Sequence, residues 1–128
     1  MKRTIQIFLL LLSLSAFSQQ DTQPIDFMVL TSEIDQFEQI LLTAKELGSY
    51  GDFKIVLYGK NVTELLSPAT EVLIIKAKKW NVKLSVCQMS LDMLKINHKA
   101  VPKQVEIVDN AFLYALQLKK AGYKTLNI

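Results

Sequence analysis

Cysteine and histidine each occur once in this 128-residue chain, and that scarcity excludes much metal and disulfide chemistry. A lone thiol cannot close an internal disulfide. One Cys and one His, with no Cys-x-x-Cys or His-x-x-x-His spacing, cannot complete a zinc site within a subunit, so no metal is expected. Glycine is nearly as sparse: the four stand at positions 48, 51, 59 and 122, too dispersed for a phosphate loop or a dinucleotide fingerprint. No cofactor is expected. Carboxylates are present, but Asp35, Asp92 and Asp109 read as caps and solvated side chains with no paired geometry. The chain has no internal repeat and no low-complexity segment.

The N-terminus reads as an address. Met1-Lys-Arg-Thr is a short basic start, Ile5 to Phe17 is almost unbroken apolar sequence, and Ala16-Phe17-Ser18 offers small residues for cleavage after Ser18. The run is shorter than the roughly 20 residues a membrane-spanning helix needs, and the polar Gln19-Gln-Asp-Thr-Gln23 follows it. No lipoprotein cysteine stands at the cleavage point. Residues 1–18 are therefore expected to be a signal peptide, 19–24 a flexible lead-in and 25–128 a single domain. The protein is expected to be exported, periplasmic or secreted, with no stable membrane anchor after signal removal. Lys2 and Arg3 leave with the signal, which lowers the formal charge from +3 to +1. The basic balance is thus no argument for nucleic acid as a partner. Lys76, Lys78 and Lys79 read as a solvated helix face.

Residues 25–128 alternate strand and helix. Ile25 to Thr31 is an apolar run of strand length, and Ser32-Glu-Ile-Asp35 resembles a capping box. Ile34, Phe37, Ile40, Leu41, Ala44 and Leu47 then recur at helical spacing until Gly48. Phe53 to Gly59 is a second strand. Val62, Leu65 and Leu66 suggest a short helix that Ser67-Pro68 interrupts, followed by a longer one from Ala69 to Trp80 with Asn81 as a left-handed cap. Val82 to Val86 is a third strand, Ser90 to Ile96 a short helix, and Gln104 to Val108 a fourth strand. Asp109-Asn110 caps a helix that ends at Gly122, and Tyr123 to Asn127 is a fifth strand. Short apolar strands separated by helices predict a three-layer α/β/α domain, its mainly parallel sheet of about five strands covered on both faces.

Ligands of such sheets bind outside the carboxyl ends of the strands. That selects Thr31-Ser32, Tyr58 to Asn61, Cys87-Gln88 and Asp109-Asn110 as a functional rim. Cys87 is the one side chain there with nucleophilic chemistry. A thiol between a strand and a helix start faces backbone N–H groups that favour thiolate. Gln88 and Ser90 at that helix start, and Gly59, Lys60 and Asn61 at the neighbouring turn, are candidate binding residues for an anion. His98, eleven residues after Cys87, is a candidate base but more simply an exposed loop residue. A free cysteine is also among the most buried residue types, so a packed, inert thiol is the competing reading.

Three stretches carry a family resemblance. Lys54-Ile-Val-Leu-Tyr-Gly59, Val82-Lys-Leu-Ser-Val-Cys87-Gln-Met-Ser-Leu91, and Leu116-Gln117-Leu118 with Ala121-Gly122-Tyr123 are similar, in order and spacing, to signatures of the DsrE/DsrF-like sulfur-relay family in its small single-domain form. The resemblance spans most of residues 25–128. It implies an α/β/α fold, a homo-oligomer (a trimer or hexamer), and a cysteine that carries sulfane sulfur as a persulfide, a role that maps onto Cys87. The expected function is that of a sulfur carrier or persulfide-forming accessory protein whose donor and acceptor the sequence does not name. The alternative is a non-catalytic oligomeric module that binds a small ligand or partner, with Cys87 structural. The last helix carries Phe112, Leu113, Leu116 and Leu118, more large apolar residues than one buried stripe requires, and some of them are candidates for a subunit contact.

Overall fold

The computed structural model describes residues 23–48 and 51–128. The expected signal peptide (1–18) and residues 19–22 of the lead-in lie outside the described residues. Five strands are formed: β1 (Phe27–Thr31), β2 (Phe53–Leu57), β3 (Val82–Cys87), β4 (Val105–Val108) and β5 (Lys124–Asn127). The helices are α1 (Phe37–Leu47), α2 (Pro68–Lys79), α3 (Gln88–Met93) and α4 (Ala111–Lys120). All pairings are parallel, in the order β4-β3-β2-β1-β5. The fold is a three-layer α/β/α sandwich, as the alternation of elements predicts.

Strand order follows from where the connections run. From β1 to β4 the chain steps one place at a time, with α1, α2 and α3 on one face of the sheet. The last crossover, α4, runs back over the opposite face and sets β5 beside β1. On the first face Val29, Ile55, Leu57, Leu84 and Val86 alternate out of the strands to meet Phe37, Ile40, Leu41, Ile74 and Leu91. Full burial of one such side chain contributes about 1.5–3 kcal/mol. On the second face Met28, Val56 and Cys87 meet Ala111, Ala115 and Leu118 of α4.

The helix ends use local chemistry that the sequence announces. Ser67 Oγ accepts from the Thr70 amide at 3.3 Å with Pro68 at the first helical position, so Ser67-Pro68 begins α2 rather than only breaking what precedes it. Asn81 takes the left-handed cap position with φ 56°. Asn110 Oδ1 accepts from Phe112 and Leu113 at 3.0 and 3.2 Å and starts α4. Helix α4 closes in a Schellman motif: Gly122 has φ 102°, its amide donates to the Lys119 carbonyl, and the Tyr123 amide donates to Leu118.

Four expectations need correction. The capping box at Ser32 does not form. The Glu33 amide donates instead to Thr31 Oγ1 at 3.0 Å, and a 3₁₀ turn over Ile34–Gln36 leads into α1. The stretch Lys60–Leu66 is a 3₁₀ helix rather than an α-helical turn. Helix α3 starts at Gln88, directly after Cys87 and two residues before Ser90. It stops at Met93 because Lys95 adopts φ 55° and the Lys95 and Ile96 amides close back on Asp92 and Leu91. Finally, the two faces are unequally covered. On its side α4 packs across β1 and β2, while Lys83 and Glu106, which point to the same face from β3 and β4, remain exposed.

Candidate functional site

Four strand ends define the rim, and one gap between them is special. After β1, β2 and β3 the chain leaves toward the first face; after β4 it leaves toward the second. The connections therefore diverge between β3 and β4, which is the switch point where open α/β sheets form a crevice. Cys87 is the last residue of β3 at this place, in register with Val108 at the end of β4. A groove of about 290 Å³ runs between the end of β4 and α4, with Val108, Asp109, Asn110 and Leu113 in its walls.

Two helix starts converge on the thiol. Cys87 is the N-cap of α3, and the Ala111 amide, first in α4, donates to Sγ at 3.4 Å. Burial pushes the Cys87 thiol up, since Sγ lies in the second core and the residue is 5 % exposed. The Ala111 amide, the backbone and hydroxyl of Ser90 and the Met89 backbone act against this, and the net displacement is below the ordinary cysteine value. Hydrogen bonds to the ionised form outweigh desolvation here. All of these donors are neutral.

The rim loops are tied to one another. The Tyr58 amide donates to the Thr31 carbonyl at 3.2 Å, Asn61 Nδ2 donates to the Ser32 carbonyl at 3.1 Å, and the Gly59 amide donates to Ser90 Oγ at 2.8 Å. The structure thus ties Gly59 to Ser90, three residues beyond Cys87, and Asn61 to the turn after β1, and employs the Asn61 amide and the Gly59 N–H internally. Lys60 stands exposed on the rim and Gln88 is half-buried as the first residue of α3. His98 does not approach the thiol: its Nε2 pairs with Asp92 Oδ1 at 2.7 Å, and both side chains are exposed. Among the described residues no group of three His, Cys, Asp or Glu side chains is placed to hold a metal. Among them also, no helix is long and apolar enough to cross a membrane.

No family model matches the chain, and no curated protein does. Solved structures do share its fold. A protein of unknown function, MTH1491 from Methanobacterium thermoautotrophicum, superposes with a TM-score of 0.69 at 11% identity, covering 81% of this chain and 97% of that one. A second protein of unknown function, BT1422 from Bacteroides thetaiotaomicron, gives a TM-score of 0.65 at 17% identity over 80% of this chain and 94% of that one. These likenesses establish the architecture and carry no activity.

Two features of the site escape sequence reading. The Ala111 donor comes from 24 residues downstream, and the sole hint of it is Asn110, whose capping character places a helix start there. The tie between Gly59 and Ser90 spans 31 residues and leaves no local signal. At the opposite end of α4 lies a second polar cluster. Tyr123 donates to Asp52 Oδ2 at 2.5 Å, Lys83 pairs with Asp52 Oδ1 at 3.0 Å, and Lys54 Nζ donates to the Tyr114 hydroxyl at 3.2 Å. A groove of about 620 Å³ also opens at that amino-terminal end of β3, away from the thiol, beside Asn81, Lys83, Lys103 and Glu106.

Proposed function

We propose that this protein is an exported sulfur carrier of the DsrE/DsrF-like kind, working through Cys87. The observation that carries the reading is the cradle at the switch point, where the Ala111 amide at 3.4 Å and the donors of Ser90 and Met89 favour thiolate. In the loading step the Cys87 thiolate attacks the outer sulfur of a donor R–S–SH. A new S–S bond forms on Cys87 as the donor's S–S bond breaks, and R–S⁻ leaves with the electron pair. The persulfide then gives up its proton to R–S⁻, so the products are Cys87–S–S⁻ and R–SH. In the unloading step the persulfide anion takes the proton of an acceptor thiol R′–SH, the R′–S⁻ so formed attacks the outer sulfur, and the S–S bond to Cys87 breaks to give R′–S–SH with the Cys87 thiolate as leaving group. No oxidant or metal enters either step. The same amides that favour the thiolate as nucleophile also favour it as leaving group.

The protein acts as a homo-oligomer in this reading. Helix α4 buries its small residues Ala111 and Ala115 and presents Phe112, Leu113 and Leu116 to solvent at 56 %, 54 % and 65 % exposure. Large apolar side chains displayed together on one helix support a subunit contact. A second reading rests on the burial of Cys87 among Met28, Val56 and Ala115. In that case the thiol packs, and the protein is a non-catalytic oligomeric module that binds a small ligand or partner at its rim.

Intact mass spectrometry after exposure to polysulfide and desalting separates the two, with Cys87→Ser run beside the wild type. A gain of one sulfur that is absent in the variant and removed by reductant supports the carrier. A native protein that stays unmodified, while the unfolded chain is modified normally, sinks it and leaves the structural cysteine.

A further inference from the structure

We propose that the groove at the amino-terminal end of β3, at the opposite end of the sheet from the thiol, binds a small organic monocarboxylate: its lysines hold the carboxylate and its apolar lining takes the body. The groove exists because β3 and β4 do not start level. Pairing with β2 begins at Val82 opposite Phe53, whereas pairing with β4 begins at Leu84 opposite Val105. Val82 and Lys83 therefore have a strand neighbour on one side only. The turn before β4 fixes this offset, since the Val105 amide donates back to the Pro102 carbonyl at 2.9 Å. Asn81, with φ 56°, turns the chain into β3 at the same place. The space left is about 620 Å³, within the range of small-molecule sites.

The lining has two kinds of chemistry. Ile74 of α2 with Val82 and Leu84 of β3, all buried, are its apolar part. Lys78, Lys83 and Lys103 supply three ammonium groups from three separate elements: the last turn of α2, β3 and the turn before β4. A helix C-terminus accounts for Lys78 alone; it does not account for Lys103. Among the described residues neither Lys78 nor Lys103 takes part in an ion pair. Lys83 is held by Asp52 Oδ1 at 3.0 Å, and Tyr123 occupies the other oxygen of that carboxylate. An ammonium has three protons to give, so Lys83 keeps two while Asp52 fixes its position. Glu106 is the one carboxylate in the lining. Three ammonium groups against Glu106 and Asp52 leave an excess of one positive charge, which matches a monocarboxylate rather than a phosphate chain. The assignment uses no property of Cys87 and goes beyond the sulfur-carrier reading.

The test is titration of the isotope-labelled protein with octanoate, read by amide NMR shifts. Octanoate is expected to move the amides of Val82, Lys83, Leu84 and Gln104. Octanol, which lacks the charge, and acetate, which lacks the body, are expected to bind about tenfold more weakly or less. Lys78→Gln combined with Lys103→Gln removes two exposed charges, leaves the apolar lining intact and is expected to weaken octanoate about tenfold. Rising salt on the wild type gives the same readout if that variant does not fold: octanoate weakens and octanol does not. Shifts confined to the exposed side of α4, or octanol as tight as octanoate, overturn the proposal. Acetate as tight as octanoate also overturns it, since the groove then holds a plain anion and the apolar lining has no part. No shift with octanoate at all does the same.

Discussion

Replacing Tyr123 by phenylalanine isolates the contact that closes the sheet at its last strand. The tyrosine follows the Schellman turn of α4 and donates to Asp52 Oδ2 at 2.5 Å, tying the entry of β5 to the entry of β2 across β1. A hydrogen bond to a charged acceptor contributes about 1.5–3 kcal/mol when dry. Tyr123 is half-buried and Asp52 keeps Lys83 at 3.0 Å, so water and the lysine recover part of the loss and the expected cost is about 1 kcal/mol. For a domain of this size that lowers Tm by about 4–8 °C. The pH dependence has a definite sign. Burial raises the Asp52 carboxyl, but Tyr123, Lys83 and Lys54 outweigh it and hold it below its ordinary 3.8. A carboxyl lowered by folding stabilises above that value, and the contribution is lost as the pH falls below it. Burial and the Asp52 charge raise the Tyr123 phenol above its ordinary 10.0, so its share is complete below pH 10.0 and lost only above it. Urea unfolding at pH 7 and at about pH 3 checks the carboxylate statement, with Tyr123→Phe destabilised at pH 7 and closer to wild type in acid. Equal destabilisation at the two pH values, or none at pH 7, refutes the argument.

Two further predictions concern the backbone and the surface. Gly51 has φ 153°, and a Cβ there would lie 2.3 Å from the Ile25 carbonyl oxygen and 2.9 Å from Asp26 Oδ1, which accepts the Asp52 amide. Gly51→Ala is expected to cost about 2–4 kcal/mol. Thermal melts check this, and an unchanged Tm removes the claim. Leu116→Asp, on the outer face of α4, is expected to leave circular dichroism unchanged and to weaken self-association by about 30-fold or more. Sedimentation of both proteins decides it, and a monomeric wild type sinks the subunit contact.

Much of the fold is legible because its signals are local. Short apolar runs mark the strands, and Ser67-Pro68, Asn81, Asn110 and Gly122 mark helix boundaries through side-chain caps and left-handed turns. The capping box fails because Glu33 rather than Ser32 precedes the first turn, and Ser32 Oγ donates to Glu33 Oε1 instead. Apolar periodicity cannot say which side of α4 faces the sheet, since both sides are apolar. The answer depends on how closely a helix can approach β1 and β2, and Ala111 and Ala115 permit what Phe112 and Leu116 would prevent. Strand order is the least legible feature. The place of β5 beside β1 is a property of the assembled sheet, and with it comes the identity of the switch point.

That reversal gives the Cys87 sulfur its donor from α4. Had α4 followed the earlier crossovers on the first face, both helix starts would lie on the same side, and the second face would offer the sulfur no donor from α4. Because the chain turns back after β4, the first amide of α4 reaches the sulfur of the residue that precedes α3. The burial of Sγ is consistent with a carrier for a geometric reason. In a persulfide the transferable atom is the outer sulfur, about 2.05 Å beyond Sγ along the new S–S bond. In the proposed carrier the anchoring sulfur stays within the core, and the atom that reacts lies one S–S bond further out.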